Sequence, residues 1–214
     1  MKKFLIYLVL LLQTFFAAAA FAAPAIPPKP SASSGIYVQD YAGVIQPEDK
    51  QKILSIGQDL DNKTTAQVAV VTVKSLEGQP IDEYALSILR EWGIGTKGKD
   101  NGVLIVVATQ DRKSRIEVGY GLEGILPDGR TGRIQDKYMI PYFSKGDYST
   151  GILQGYLATS LTIAKSANVE LTGARYNGGT AQKQDSGFDL GNILLIAAIV
   201  CLLYTSPSPR DGAT

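Results

Sequence analysis

The chain has 214 residues, 45% of them hydrophobic, which is room for one core-forming domain with further segments at its ends. Its 21 Lys and Arg nearly balance its 20 Asp and Glu, so it lacks the basic surplus of a nucleic-acid binder. It contains no histidine, which excludes Ser-His-Asp and Cys-His catalysis, histidine-held zinc and histidine-held haem, and leaves chemistry to carboxylates, Lys, Arg, hydroxyls or a bound cation.

Lys2 and Lys3, the apolar run Phe4–Leu12 and the small-residue tract ending in Ala20-Phe21-Ala22 read as a secretory signal over 1–22. Residues 23–35 are rich in Pro and Ser and read as a linker to a domain over 36–170. In that domain Pro47–Asn62 reads as a helix, with Pro47 at its first position, Glu48 and Asp49 at its positive end, and Ile53, Ile56, Gly57 and Leu60 on one face. The valine-rich stretch Ala66–Lys74 reads as a strand covered on both faces. Pro80–Trp92 follows as an amphipathic helix with the stripe Ile81, Tyr84, Ala85, Ile88, Leu89 and Trp92. Strand-helix-strand order then implies a right-handed crossover to a parallel strand, Gly102–Thr109. Ser114–Tyr120 alternates Ile116, Val118 and Tyr120 with Arg115, Glu117 and Gly119, as a hairpin partner would. Thr131–Tyr142 and Tyr148–Ala167 read as helices. The expected fold is α/β: a three-layer α/β/α sandwich around a small mixed sheet, a parallel pair plus an antiparallel hairpin strand.

After the domain, 171–192 is Gly-rich and polar and reads as a second linker. An apolar run of 11 residues, Ile193–Leu203, follows, whereas spanning a bilayer takes roughly 20. It reads as the start of a transmembrane helix that the natural protein completes, with 204–214 as a non-native tail. The single cysteine, Cys201, lies outside the domain, which therefore has no internal disulfide.

The expected topology places a site. Helix 80–92 returns along the sheet, so loop 93–101 opens the strand that follows it. The hairpin strand comes back to the same end, which brings Gly119–Asp128 beside Asp100 and Asn101. Lys97, Lys99, Asp100, Asn101, Glu123 and Asp128 then share one rim, and hard oxygen ligands there suit Ca²⁺ or Mg²⁺. Taken singly, each is also an ordinary residue of a solvated turn. Asp40 cannot be placed at either end of the sheet from spacing. Gly119-Tyr120-Gly121-Leu122-Glu123-Gly124 matches G-x-G-x-x-G, but it ends a hairpin strand, and Pro127, Asp128 and Gly129 interrupt any following helix. No nicotinamide, flavin or haem site is read here. The glycines instead let the chain turn and pass close to the 93–101 loop.

Several stretches together resemble the TPM domain family. They are Val38-x-Asp40-x-Ala42-Gly43-Val44, Ala66–Val73, Trp92-Gly93-Ile94-Gly95, Lys97–Leu104, Glu117–Gly124, Pro141-Tyr142-Phe143 and Gly146-Asp147-Tyr148. The resemblance implies an exported domain followed by a Gly-rich stretch and a membrane helix. It also implies a choice of functions, since relatives are described as acid phosphatases, calcium binders, or assembly and repair helpers of membrane complexes. Family motif positions fall on Asp40, Asp100, Asn101, Gly102, Gly119, Gly121, Glu123 and Gly124. Asp128 stands where relatives often carry an acid, but after Pro127. The resulting expectation is an extracytoplasmic, membrane-tethered module that binds a divalent cation through Asp40, Asp100, Asn101, Glu123 and Asp128, and a membrane-protein partner. A metal-dependent phosphatase-like hydrolase using Asp100, or a ligand-free adaptor, are the alternatives.

Overall fold

The structure is a computed structural model that describes residues 26–31 and 35–172. The signal at 1–22, the second linker from residue 173 onward, the apolar run at 193–203 and the tail at 204–214 lie outside the described residues.

A four-stranded sheet forms the centre, in the order β1 (Val38–Asp40), β2 (Gln67–Val73), β3 (Gly102–Ala108), β4 (Lys113–Val118). The first three strands are parallel and β4 is antiparallel to β3. The register pairs Asp40 with Thr72, Gln67 with Gly102, and Val103 with Val118. β1 is one strand more than the sequence pattern predicts. It is three residues long, too short to show alternation.

Helices cover both faces. α1 (Pro47–Thr64) and α5 (Tyr148–Ser166) pack on one face against Val68, Val70, Val103, Ile105 and Ile116. α2 (Ile81–Trp92) packs on the other, against Ala69, Val71, Leu104 and Val106. The alternation of β2 and β3 side chains between two covered faces explains their unbroken apolar sequence. Ile53, Ile56 and Leu60 of α1 are buried, and each contributes about 2 kcal/mol by leaving water. Tyr156 of α5 reaches through this layer, and its hydroxyl donates to the Val68 carbonyl at 3.0 Å. Burial pushes its phenol well above the ordinary tyrosine value, so it stays a donor.

The order β1-β2-β3 runs without reversal, yet α1 and α2 cover opposite faces. The two crossovers therefore have opposite hands, and one departs from the usual right-handed rule.

Two local expectations change. Tyr120 does not continue β4. It opens a 3-10 turn, Tyr120–Leu122, and is 80% exposed. Pro127 does not prevent a helix: it is the N-cap of α3 (Asp128–Ile134), because its missing N–H is one the first turn leaves unused. The single helix expected over 131–142 is α3, a π-helical turn over Gln135–Met139, and the short α4 (Ile140–Phe143). Among the described residues no helix is long and apolar enough to cross a membrane.

Candidate functional site

The end of the sheet where β3 begins carries the expected rim. The loop before β3 and the turn after β4 meet there through main-chain atoms. Gly119 N–H donates to the Gly102 carbonyl at 2.8 Å, and Gly121 N–H to the Asp100 carbonyl at 3.0 Å. A Cβ on Gly119 would stand 2.3 Å from the Asp100 carbonyl oxygen, and one on Gly121 2.0 Å from that of Lys99. No side chain fits either gap, so these glycines are required by the close pass of two backbone segments.

Asp100 lies in this clasp with φ of 47°, a left-handed conformation that aspartate tolerates better than most residues. Its carboxylate makes no hydrogen bond or ion pair among the described residues. Asp100 and Glu123 line one cavity of about 820 Å³, together with Lys97, Glu117 and Tyr120. Glu123 also lines a neighbouring cavity of about 420 Å³ with Asp128, Glu117 and Arg115. Of the stretch Gly119–Asp128 expected beside Asp100, Gly119–Glu123 meets it, and Asp128 lines only the neighbouring cavity.

Asp128 stands in the field of Arg115. Burial works against the Arg115 charge. The hydrogen bond to Glu117 at 2.9 Å and the charges of Glu117, Asp82 and Asp128 outweigh it, and the guanidinium is held above its ordinary value. A cation near Asp128 meets that fixed positive charge.

Asn101 is differently occupied. It is 7% exposed, its Oδ1 accepts from Thr96 N–H at 2.7 Å, and its Nδ2 donates to the Thr65 carbonyl at 2.8 Å. Gln67 completes the brace: its Oε1 accepts from Gly95 N–H and its Nε2 donates to Asp61. Both amides tie the 93–101 loop to the end of α1, and the Asn101 oxygen already serves as an acceptor within that loop. Thr65 and Gln67 carry no sequence signal for this role, because their partners in the 93–101 loop are 28 to 36 residues away. Lys99 also turns back, donating to Thr65 Oγ1 at 3.0 Å.

Asp40 is at the other end of the sheet. Its two oxygens accept from Val44 N–H at 3.1 Å and Ile45 N–H at 2.9 Å, and Thr72 Oγ1 donates to it as well. Thr72 Oγ1 in turn accepts from Ala42 N–H. The carboxylate thus shapes the turn between β1 and α1 and pins it to β2. Its separation from the rim follows from the register, since Asp40 pairs with Thr72 near the end of β2 while Asp100 precedes the residue paired with Gln67 at its start. Among the described residues no three Asp, Glu or Cys side chains converge as a metal cluster. The five expected ligands are thereby divided: Asp100 and Glu123 share a cavity, Asp128 adjoins it, Asn101 is used in the loop, and Asp40 lies elsewhere.

The model of the TPM domain matches residues 38–160, more than half of the chain. The chain belongs to the TPM domain family. It is similar to the solution NMR structure of the N-terminal domain of a protein from P. gingivalis, with 33% identity and a TM-score of 0.60 over 66% of this chain and 90% of that one. The N-terminal domain of the cg2496 protein from Corynebacterium glutamicum is similar at 18% identity and a TM-score of 0.49, over 69% of this chain and 91% of that one. The BA42 protein from the psychrophilic bacterium Bizionia argentinensis is similar at the same identity and TM-score, over 61% and 92%. No curated protein matches the chain. The matched span runs from β1 into α5, so the TPM domain includes both the Asp40 turn and the rim.

Proposed function

We propose that this TPM domain is a low-affinity divalent-cation module whose site is the rim formed by Asp100 and Glu123. The observation that carries this reading is that both carboxylates line one cavity and neither is engaged by another described side chain. Calcium takes roughly six to eight oxygens, and loosely built extracellular sites bind at about 0.1–1 mM. Two carboxylates supply a minority of such a shell, so main-chain carbonyls and water complete it. Lys97 on the same cavity lowers the affinity further. Asp40 and Asn101 act on the fold around the site and not as ligands.

The export signature at 1–22 and the apolar run at 193–203 support an extracytoplasmic domain held at a membrane, where it meets a membrane-protein partner. The hydrolase reading has no observation of its own: among the described residues nothing hydrogen-bonds the Asp100 carboxylate to orient it as a nucleophile.

A titration of the full chain with Ca²⁺ and with Mg²⁺, followed by amide NMR, tests the proposal. Saturable millimolar shifts centred on residues 97–102 and 119–124 are expected, lost in both Asp100→Asn and Glu123→Gln. Shifts spread over all surface carboxylates, or none at all, would overturn it.

A further inference from the structure

A third cavity, of about 660 Å³, lies at the opposite end of β4 from the rim. Its position follows from the π-helical turn. Met139 packs against Gly155 of α5 and Phe143 against Gly151. The wider turn over Gln135–Met139 lets these side chains reach α5 while Gln135, Asp136 and Ile140 line the cavity. Across from them stands the hairpin tip, Arg112 and Lys113.

The walls are fixed and apolar over much of their area. Phe143 and Tyr148 meet as a tilted pair with ring centroids 5.1 Å apart. Tyr148 is held by its hydroxyl, which donates to the Thr109 carbonyl at 3.2 Å. Ser114 Oγ donates to Gln135 Oε1 at 2.9 Å, tying the strand to the π turn. Ile140 is 45% exposed and lines this space.

The charges are the informative part. Arg112 and Lys113 on one side, and Asp136 on the other, all line the cavity. None of the three makes an ion pair among the described residues. All three are solvent-exposed, and the cavity puts them around one space. Arg112 also holds a φ of 52°, a left-handed backbone position that glycine would take at lower cost. That conformation belongs to the hairpin turn between β3 and β4, and it fixes where the guanidinium leaves the chain. A ligand matching all of this has an apolar body, a carboxylate for the guanidinium and an ammonium for Asp136. A cavity of this size accepts more than a single amino acid.

We propose that this cavity binds the free ends of a short zwitterionic peptide with apolar side chains, its carboxylate on Arg112 and Lys113, its ammonium at Asp136, and a side chain against Ile140, Phe143 and Tyr148. The site is independent of the cation rim, at the other end of the sheet.

The probe is the dipeptide leucyl-phenylalanine with both ends free, titrated into the full chain and read by amide NMR and calorimetry. Saturable shifts at 112–114, 135–140 and 143–148 are expected, with no change at 97–102. The C-terminal amide of the dipeptide binds about tenfold more weakly to the unaltered protein, as expected for losing one charge-assisted contact. On Arg112→Gly, which suits the backbone and so preserves the fold, the advantage of the free acid over the amide shrinks, and in Arg112→Gly combined with Lys113→Gln the two bind alike. Asp136→Asn removes the preference for a free amine over the N-acetyl dipeptide in the same way. Equal binding of a dipeptide blocked at both ends would overturn the proposal and leave only an apolar pocket. Absence of shifts at these positions at millimolar dipeptide would overturn it as well.

Discussion

The two ends of the sheet hold aspartates in opposite circumstances. At the end of β1, Asp40 has its oxygens occupied by two main-chain N–H groups and a threonine hydroxyl. Just before β3, Asp100 has its carbonyl held by Gly121 N–H, and its carboxylate is without a partner among the described residues. A motif aspartate at either end looks alike in sequence. In the structure the first shapes the chain, and the second is presented by a chain that glycine and amide side chains have already shaped. Stability and ligand response should therefore separate between the two ends.

The largest effect is expected where the rim's backbone is forced apart. Gly121→Ala places a methyl 2.0 Å from the Lys99 carbonyl oxygen. Backbone on both sides cannot yield without breaking the Gly121–Asp100 hydrogen bond, and we expect a loss of about 3 kcal/mol, read as a lowered denaturant midpoint. Asp40→Ala comes next. It leaves Val44 N–H, Ile45 N–H and the Thr72 hydroxyl without their acceptor, at a cost of about 2–3 kcal/mol and with no effect on cation response. Asp100→Asn and Glu123→Gln should do the reverse, moving stability by less than about 0.5 kcal/mol while abolishing the rim shifts with Ca²⁺. If Asp40→Ala removed the cation response while the fold stayed intact, the contrast between the two ends would fail.

The smallest effect concerns pH. Lys63 donates to Asp59 at 2.9 Å and Thr172 N–H at 2.6 Å, and together they hold the Asp59 carboxyl below its ordinary value. A depressed folded value means the stabilisation is complete above the unfolded carboxylate value and is lost as pH falls through the lower, folded one. Amide exchange at Thr172 should accelerate in that acidic window relative to neighbouring residues. Asp59→Asn should flatten the profile without moving the global transition.

Much of the fold is legible because its cause is local or periodic. The valine runs of β2 and β3 and the stripe of α2 announce burial by themselves. The meeting of Asp100 with the 119–123 turn also follows from chain direction alone. What is hidden depends on partners far along the chain. The Asp40–Thr72 contact spans 32 residues, and neither side chain marks the other. Asn101 reads as a ligand because its type suits one, while its partner Thr65, 36 residues away, becomes visible only once α1 ends beside the loop. The π turn is hidden for a similar reason, since the helix widens to seat Met139 on α5, and that demand comes from packing and not from residues 135–139 themselves.

The pair that lowers Asp59 has a mechanical side. Lys63 also donates to the Glu170 carbonyl at 2.7 Å, so α1 grips the strand of chain leaving α5 at both Glu170 and Thr172. These bonds join the exit to the end of α1 and not to the helix it leaves. A pull on the chain beyond Thr172 would load the Thr172–Asp59 bond first. Leu171 packs against the core between the two clasped positions, so tension passing Thr172 would reach the apolar seam before the Lys63–Glu170 bond parted.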